Sequence, residues 1–90
     1  MTNQDRFKIL RAMRDPDHWV IRMEYQDEKN VRTRRIVSPI RFTNAARTHL
    51  LALCCAREEP RMFFVNNIGP LTLEPAADFV MPHPVEEING

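Results

Sequence analysis

Leu50-Leu51-Ala52-Leu53-Cys54-Cys55-Ala56 is an unbroken apolar run in the second half of the chain, with no polar position anywhere in it. An amphipathic helix shows a polar stripe and a half-buried strand alternates, so a run with neither pattern has to be covered all round. Two conformations meet that demand. Thr43 or Asn44 can cap a helix over 43–59 that ends before Pro60, and the Ala, Leu, Arg and Glu content favours it. A short strand buried on both faces meets it equally well. The residues alone leave the two readings level.

A span across a bilayer is excluded, because the uncharged segment 48–56 is far shorter than the roughly 20 residues a helix needs. Asp5 and Arg6 stand where a signal peptide would be apolar. The expectation is a cytoplasmic protein of bacterial type with no membrane partner. A chain of 90 residues supports one modest core, and 43% hydrophobic with 28% charged residues lies well outside the disordered regime. Cys54 and Cys55 are neighbours and close no stabilising loop, so they read as reduced, buried thiols.

Net charge is only +1, but it is unevenly placed. Between residues 29 and 57 there is no Asp or Glu, and the stretch holds Lys29, Arg32, Arg34, Arg35, Arg41, Arg47 and Arg57; after Arg61 only acids follow. Either one face of the fold carries a positive field that attracts an anionic partner, or the two halves neutralise each other across the surface. Arginine outnumbers lysine by eleven to two, which suits bidentate contact with phosphate or carboxylate.

Along the chain, Thr2 and Asp5 form a capping-box pattern ahead of a helix whose apolar face is read as Phe7, Ile9, Leu10 and Met13. Asp15-Pro16-Asp17 ends it. Residues 18–26 alternate, with Trp19, Ile21, Met23 and Tyr25 on one side, and predict a half-buried strand. The polar turn 27–30 leads to an extended segment 31–37, completing a hairpin, and Pro39 marks an edge or a bulge beyond it. Residues 61–66 and 71–73 predict two further strands, with Phe79, Val80 and Met81 closing the open end of the core. The domain plan is therefore an N-terminal helix at 1–17, a β domain at 18–81 and a frayed tail at 82–90. No repeat, low-complexity tract or glycine-rich phosphate loop is present.

Taken together, the segments from Val20 to Phe79 resemble a WYL domain. Ile21-Arg22-Met23-Glu24-Tyr25 resembles the family's first strand, and Arg35-Ile36-Val37-Ser38-Pro39 its Arg-x-Val-x-Pro segment. His49-Leu50-Leu51-Ala52-Leu53-Cys54 resembles the naming motif running into an apolar strand, and Arg57 with Arg61-Met62-Phe63 the Arg-x-Phe element. Thr48-His49-Leu50 stands where Trp-Tyr-Leu is usual, and Asn67-Ile68 where Arg-Ile is usual. The resemblance implies that 48–56 is a strand in a mainly β fold: one N-terminal helix on a small, strongly bent Sm-like or SH3-like β-barrel of about five strands. It also implies a non-enzymatic, ligand-sensing module of bacterial transcription regulation that recognises nucleotides or single-stranded nucleic acid. Such modules are often joined to a DNA-reading helix-turn-helix, for which the single N-terminal helix expected here is too little.

Arg35 and Arg61 lead the candidate ligand-binding residues, since each sits on a strand within an apolar pattern and each matches a family arginine. A structural ion pair with Glu24 or Glu58 is the competing reading. Arg34, Arg41 and Arg47 are supporting charges, and Tyr25 is core or lines a pocket. His49, at the family's tyrosine position, can stack on a base or donate a hydrogen bond. A Cys–His nucleophile fails on distance, because His49 and Cys55 on one strand lie roughly 20 Å apart at about 3.3 Å per residue. His18, His49, His83 and the cysteines show no metal-ligand spacing, so no catalytic residue, metal or cofactor is expected. The alternative function is a docking module that forms a homodimer, or binds a regulator protein, through an exposed edge after Pro39.

Overall fold

Thr2 begins the fold as the sequence predicts: its hydroxyl accepts from the Asp5 amide at 3.1 Å, while the Asp5 carboxylate accepts from the Thr2 amide. This box opens α1 (Asn3–Arg14), which Asp15 closes. The chain is described by a computed structural model over residues 1–56, 59–79 and 82–88. The buried face of α1 is Ile9 and Ala12, flanked by Met13, whereas Phe7 is 65% exposed. The sequence reading grouped Phe7 with Ile9, but residues two apart on a helix point about 160° away from each other.

The first hairpin joins β1 (Trp19–Gln26) to β2 (Arg32–Phe42). Its turn is held by the Asp27 carboxylate, which accepts from the Lys29 and Val31 amides at 2.8 and 2.9 Å. Asn30 supplies the left-handed residue with φ of 63°, a conformation asparagine tolerates. Register pairs Ile21 with Val37, Met23 with Arg35 and Tyr25 with Thr33, so all six side chains share one face.

β2 does not stop at Pro39. It continues through a bulge between Pro39 and Arg41 and pairs with β3 (His49–Cys54), which in turn pairs with β4 (Glu59–Phe64). The apolar run is thus a strand. Leu50, Ala52 and Cys54 are buried on its inner side, Leu51 and Leu53 are half-covered on the outer side, and Cys55 is buried at its end. Local helical propensity loses because a strand between β2 and β4 pairs its backbone on both edges while it turns Leu50, Ala52 and Cys54 into the core.

β5 (Ile68–Pro75) completes an antiparallel order β4-β3-β2-β1-β5, and β6 (Glu86–Glu87) pairs beside β2. Two expectations are corrected here. The path of five strands expected is present, with β6 as a sixth beside it, and the sheet is open: the path ends at β4 and β5 without a ladder between them among the described residues, so barrel closure is not formed there. Residues 82–88, read as a frayed tail, lie along β2: the His83 amide donates to the Cys55 carbonyl, Arg34 pairs with Glu86 in register, and the Ile88 amide donates to the Arg32 carbonyl. β3 begins its pairing only at Val37, which leaves the edge of β2 at 32–36 free to take them.

The open sheet is nonetheless strongly curled. Tyr25 on β1 accepts from the Phe64 amide on β4 through its hydroxyl at 3.0 Å, although two strands separate them. The main core fills this concave side and includes Ile9, Ile21, Met23, Val37, Leu50 and Phe63, with α1 against β1, β2 and β5. A second, smaller cluster lies on the outer face, where Val20, Ile36 and Cys55 meet Ala76 and Phe79. Phe79 therefore packs on the apolar cluster of the convex side, whereas the sequence reading placed it at the open end of the core. Val80 and Met81 lie outside the described residues, as do Arg57 and Glu58.

Candidate arginine site on the concave face

Alternation along β2 puts Thr33, Arg35 and Val37 on the inner face, and β3–β4 register does the same for Cys54, Arg61 and Phe63. Phe63, 1% exposed, is where the two arginines meet. The guanidinium carbons of Arg35 and Arg61 each lie 5.8 Å from its ring centroid, which holds them within 11.6 Å of each other. Tyr25 meets the same ring edge-on, with centroids 5.0 Å apart and planes at 84°. Such contacts use the negative face of the ring for the cations and its positive edge for the partner aromatic.

Arg35 is only 8% exposed. Its Nε donates to the Thr33 hydroxyl at 2.9 Å and its Nη1 lies 3.9 Å from Cys54 Sγ, a soft and weak acceptor. Among the described residues neither Arg35 nor Arg61 has a carboxylate within 4 Å, and Glu24, one of the partners considered from sequence, is taken by Arg32 at 2.7 Å. Arginine cannot shed its proton to escape burial. Among the described residues Arg35 has a hydroxyl, a thiol and an aromatic ring as partners, leaving guanidinium N–H groups for a planar acceptor such as phosphate.

Arg34, Arg41, Arg47 and His49 are not part of this cluster. Arg34 projects from the outer face and pairs with Glu86 at 3.3 Å. Arg41 is exposed beside the bulge, and Arg47, with φ of 55°, lies over the Phe42 ring at 5.6 Å. His49 is on the outer face with Phe64, centroids 4.8 Å apart, and its Nδ1 is 2.8 Å from the Thr48 hydroxyl. Tyr25 does reach the site, but its hydroxyl is engaged by the Phe64 amide. The acid-free stretch is thus divided: Arg32 and Arg34 are paired with carboxylates on the outer face, and Arg35 on the inner face has no ion pair among the described residues.

Sequence reasoning missed Phe63 as the shared platform and Thr33 and Cys54 as neighbours of Arg35. The period of two was the available signal for Thr33, since residues i and i−2 on a strand share a face. Nothing local to Cys54 announces Arg35, because the two meet only through the β2–β3 register. Among the described residues no group of three or more His, Cys, Asp or Glu side chains is placed to hold a metal ion. No helix among them is long and apolar enough to cross a membrane.

A family model described as WYL domain matches residues 8–73, which takes in α1 from Lys8 and the sheet through most of β5. No curated protein and no solved structure matches the chain.

Proposed function

The chain belongs to the WYL domain family, and on that premise we propose that it senses an anionic ligand, a nucleotide or single-stranded nucleic acid, through Arg35 and Arg61 on its concave face. WYL domains are in general regulatory, ligand-sensing modules and typically non-catalytic. The observation that carries the ligand class is the convergence of two guanidinium groups on one buried ring with no carboxylate within 4 Å of either among the described residues. A buried cation that lacks a counter-charge is costly for folding, and an anionic ligand supplies the missing charge on binding. Phosphate matches the guanidinium fork, and a base adds stacking on arginine or aromatic planes.

The alternative, a docking or dimerisation module, draws support from Met62 and Phe64, which are exposed on the edge strand β4. The segment after Pro39 gives it less, since Arg41 and Phe42 are laddered to β3. An apolar docking edge has no need of the inner arginines, so one experiment separates the two. Fluorescence anisotropy with short labelled oligonucleotides, and competition by nucleotides, is expected to show binding that weakens steeply with added salt. The Arg35→Ala/Arg61→Ala double variant, verified as folded by circular dichroism, is expected to lose it. Absence of binding at low salt, or binding that the double variant retains, overturns the proposal.

A further inference from the structure

We propose a second site on the opposite, outer face of the sheet: Arg22, Arg34 and His83 form a binding site for a phosphate group, with Glu86 as a resident carboxylate that the incoming anion displaces. In β1–β2 register Arg22 faces Ile36 and Glu24 faces Arg34, which sets the two arginines diagonally on one face, within reach of a common ligand. Both border an open cavity of about 240 Å³ that is also lined by His83 and Glu86 from the C-terminal segment and by Arg35. A neighbouring cavity of about 120 Å³ shares Arg22 and Arg34, so the pair is open on two sides.

Phe79 positions both Arg22 and His83. The Arg22 guanidinium lies 5.5 Å from the Phe79 ring centroid and forms no ion pair among the described residues. Phe79 in turn meets His83 edge-on at 5.1 Å, and the His83 amide is tied to the Cys55 carbonyl at 3.1 Å. His83 Nδ1 is the one buried side-chain nitrogen or oxygen among the described residues without a hydrogen-bond partner. Native structures rarely leave such an atom unmatched, and an anion oxygen in the adjoining cavity is the partner that fits two guanidinium forks beside it. Glu86 already shows where negative charge is accepted. Its 3.3 Å pair with Arg34 joins two exposed side chains, 39% and 67% accessible, and β6 is only two residues long. Exposed pairs of this kind are weak, so a dianion that engages both arginines outcompetes it.

The test uses the full chain with labelled histidine rings, read by NMR as inorganic phosphate is added at constant ionic strength against chloride. A saturable shift is expected at His83 and not at His18 or His49. Arg22→Gln is expected to weaken binding about tenfold or more, equivalent to about 1.4 kcal/mol, and Glu86→Gln to tighten it. Arg22→Lys, which keeps the charge and loses the fork, is expected to weaken it less than Arg22→Gln and serves if the glutamine variant fails to fold. Arg61→Ala, which touches only the concave cluster, is expected to leave phosphate binding unchanged, so failure here and failure of the concave-face reading are separable. Adenosine monophosphate binding more tightly than phosphate with the same His83 shift identifies a phosphomonoester as occupant, and equal affinity identifies free phosphate. No saturable shift at His83, an equal shift with chloride, or full affinity in folded Arg22 variants overturns the proposal.

Discussion

The two faces of the β1–β2 hairpin carry the same residue type under opposite conditions. On the outer face Arg32 reaches Glu24 and Arg34 reaches Glu86, and all four side chains retain contact with solvent. On the inner face Arg35 is buried against Phe63 with no carboxylate within 4 Å among the described residues. The outer arrangement is what surface electrostatics produces by itself, and it contributes little. The inner one works against folding, since desolvating a guanidinium is repaid only partly by a hydroxyl, a sulfur and a ring. A charge whose position stability does not account for is a candidate for binding.

The largest test of this contrast removes the inner platform. Phe63→Ala deletes a fully buried ring that Tyr25, Arg35 and Arg61 all contact, so it is expected to cost about 3–5 kcal/mol. That is a large share of the roughly 5–15 kcal/mol available to a natural domain. Urea denaturation measures it. A loss under about 1 kcal/mol, the scale of an exposed substitution, would mean that Phe63 does not hold the concave face together.

Arg35→Met comes next, and its sign matters more than its size. Methionine keeps much of the volume and packs on aromatic rings, while it removes the uncompensated charge. Stability is expected to hold or to rise by about 1 kcal/mol, which raises the melting temperature by roughly 4–8 °C in a domain of this size. Oligonucleotide binding is expected to fall at the same time. Destabilisation by more than about 1 kcal/mol would place Arg35 among the structural arginines and erase the difference between the two faces.

How far the sequence exposes all this depends on the range of the interactions concerned. The capping box at Thr2 and Asp5, the alternation from Trp19 to Tyr25 and the turn after Gln26 are local, and each is visible in a few residues. The apolar run at 50–56 is not decided locally. Only its place between β2 and β4 makes it a strand, and the family resemblance carried that information where propensity did not. Arg35 and Arg61 stand out by residue type and motif, yet their convergence depends on two registers and the curl of the sheet. His49 shows the opposite failure: its motif position suggests the same site, but the period of two sends it to the other face with Phe64. The course of residues 82–88 was illegible because Pro82, Pro84 and the two glutamates look like a solvated end. What holds them is an unfilled strand edge elsewhere in the chain.

The smallest effect belongs to the outer face and is the control for the rest. Glu24→Gln breaks the 2.7 Å contact with Arg32, a side chain 50% accessible to solvent. In such a setting the Coulomb gain is screened and partly cancelled by the cost of ordering two long side chains, so the change is expected to stay within about 0.5 kcal/mol. It is also expected to vanish in 1 M salt, where the screening length is about 3 Å, whereas the effect of Arg35→Met, set by burial, persists. Paired denaturation curves at low and high salt measure both. If Glu24→Gln costs as much as a core substitution, charge pairing on the outer face is structural after all. The lack of an ion pair at Arg35 among the described residues would then lose its value as a marker of function.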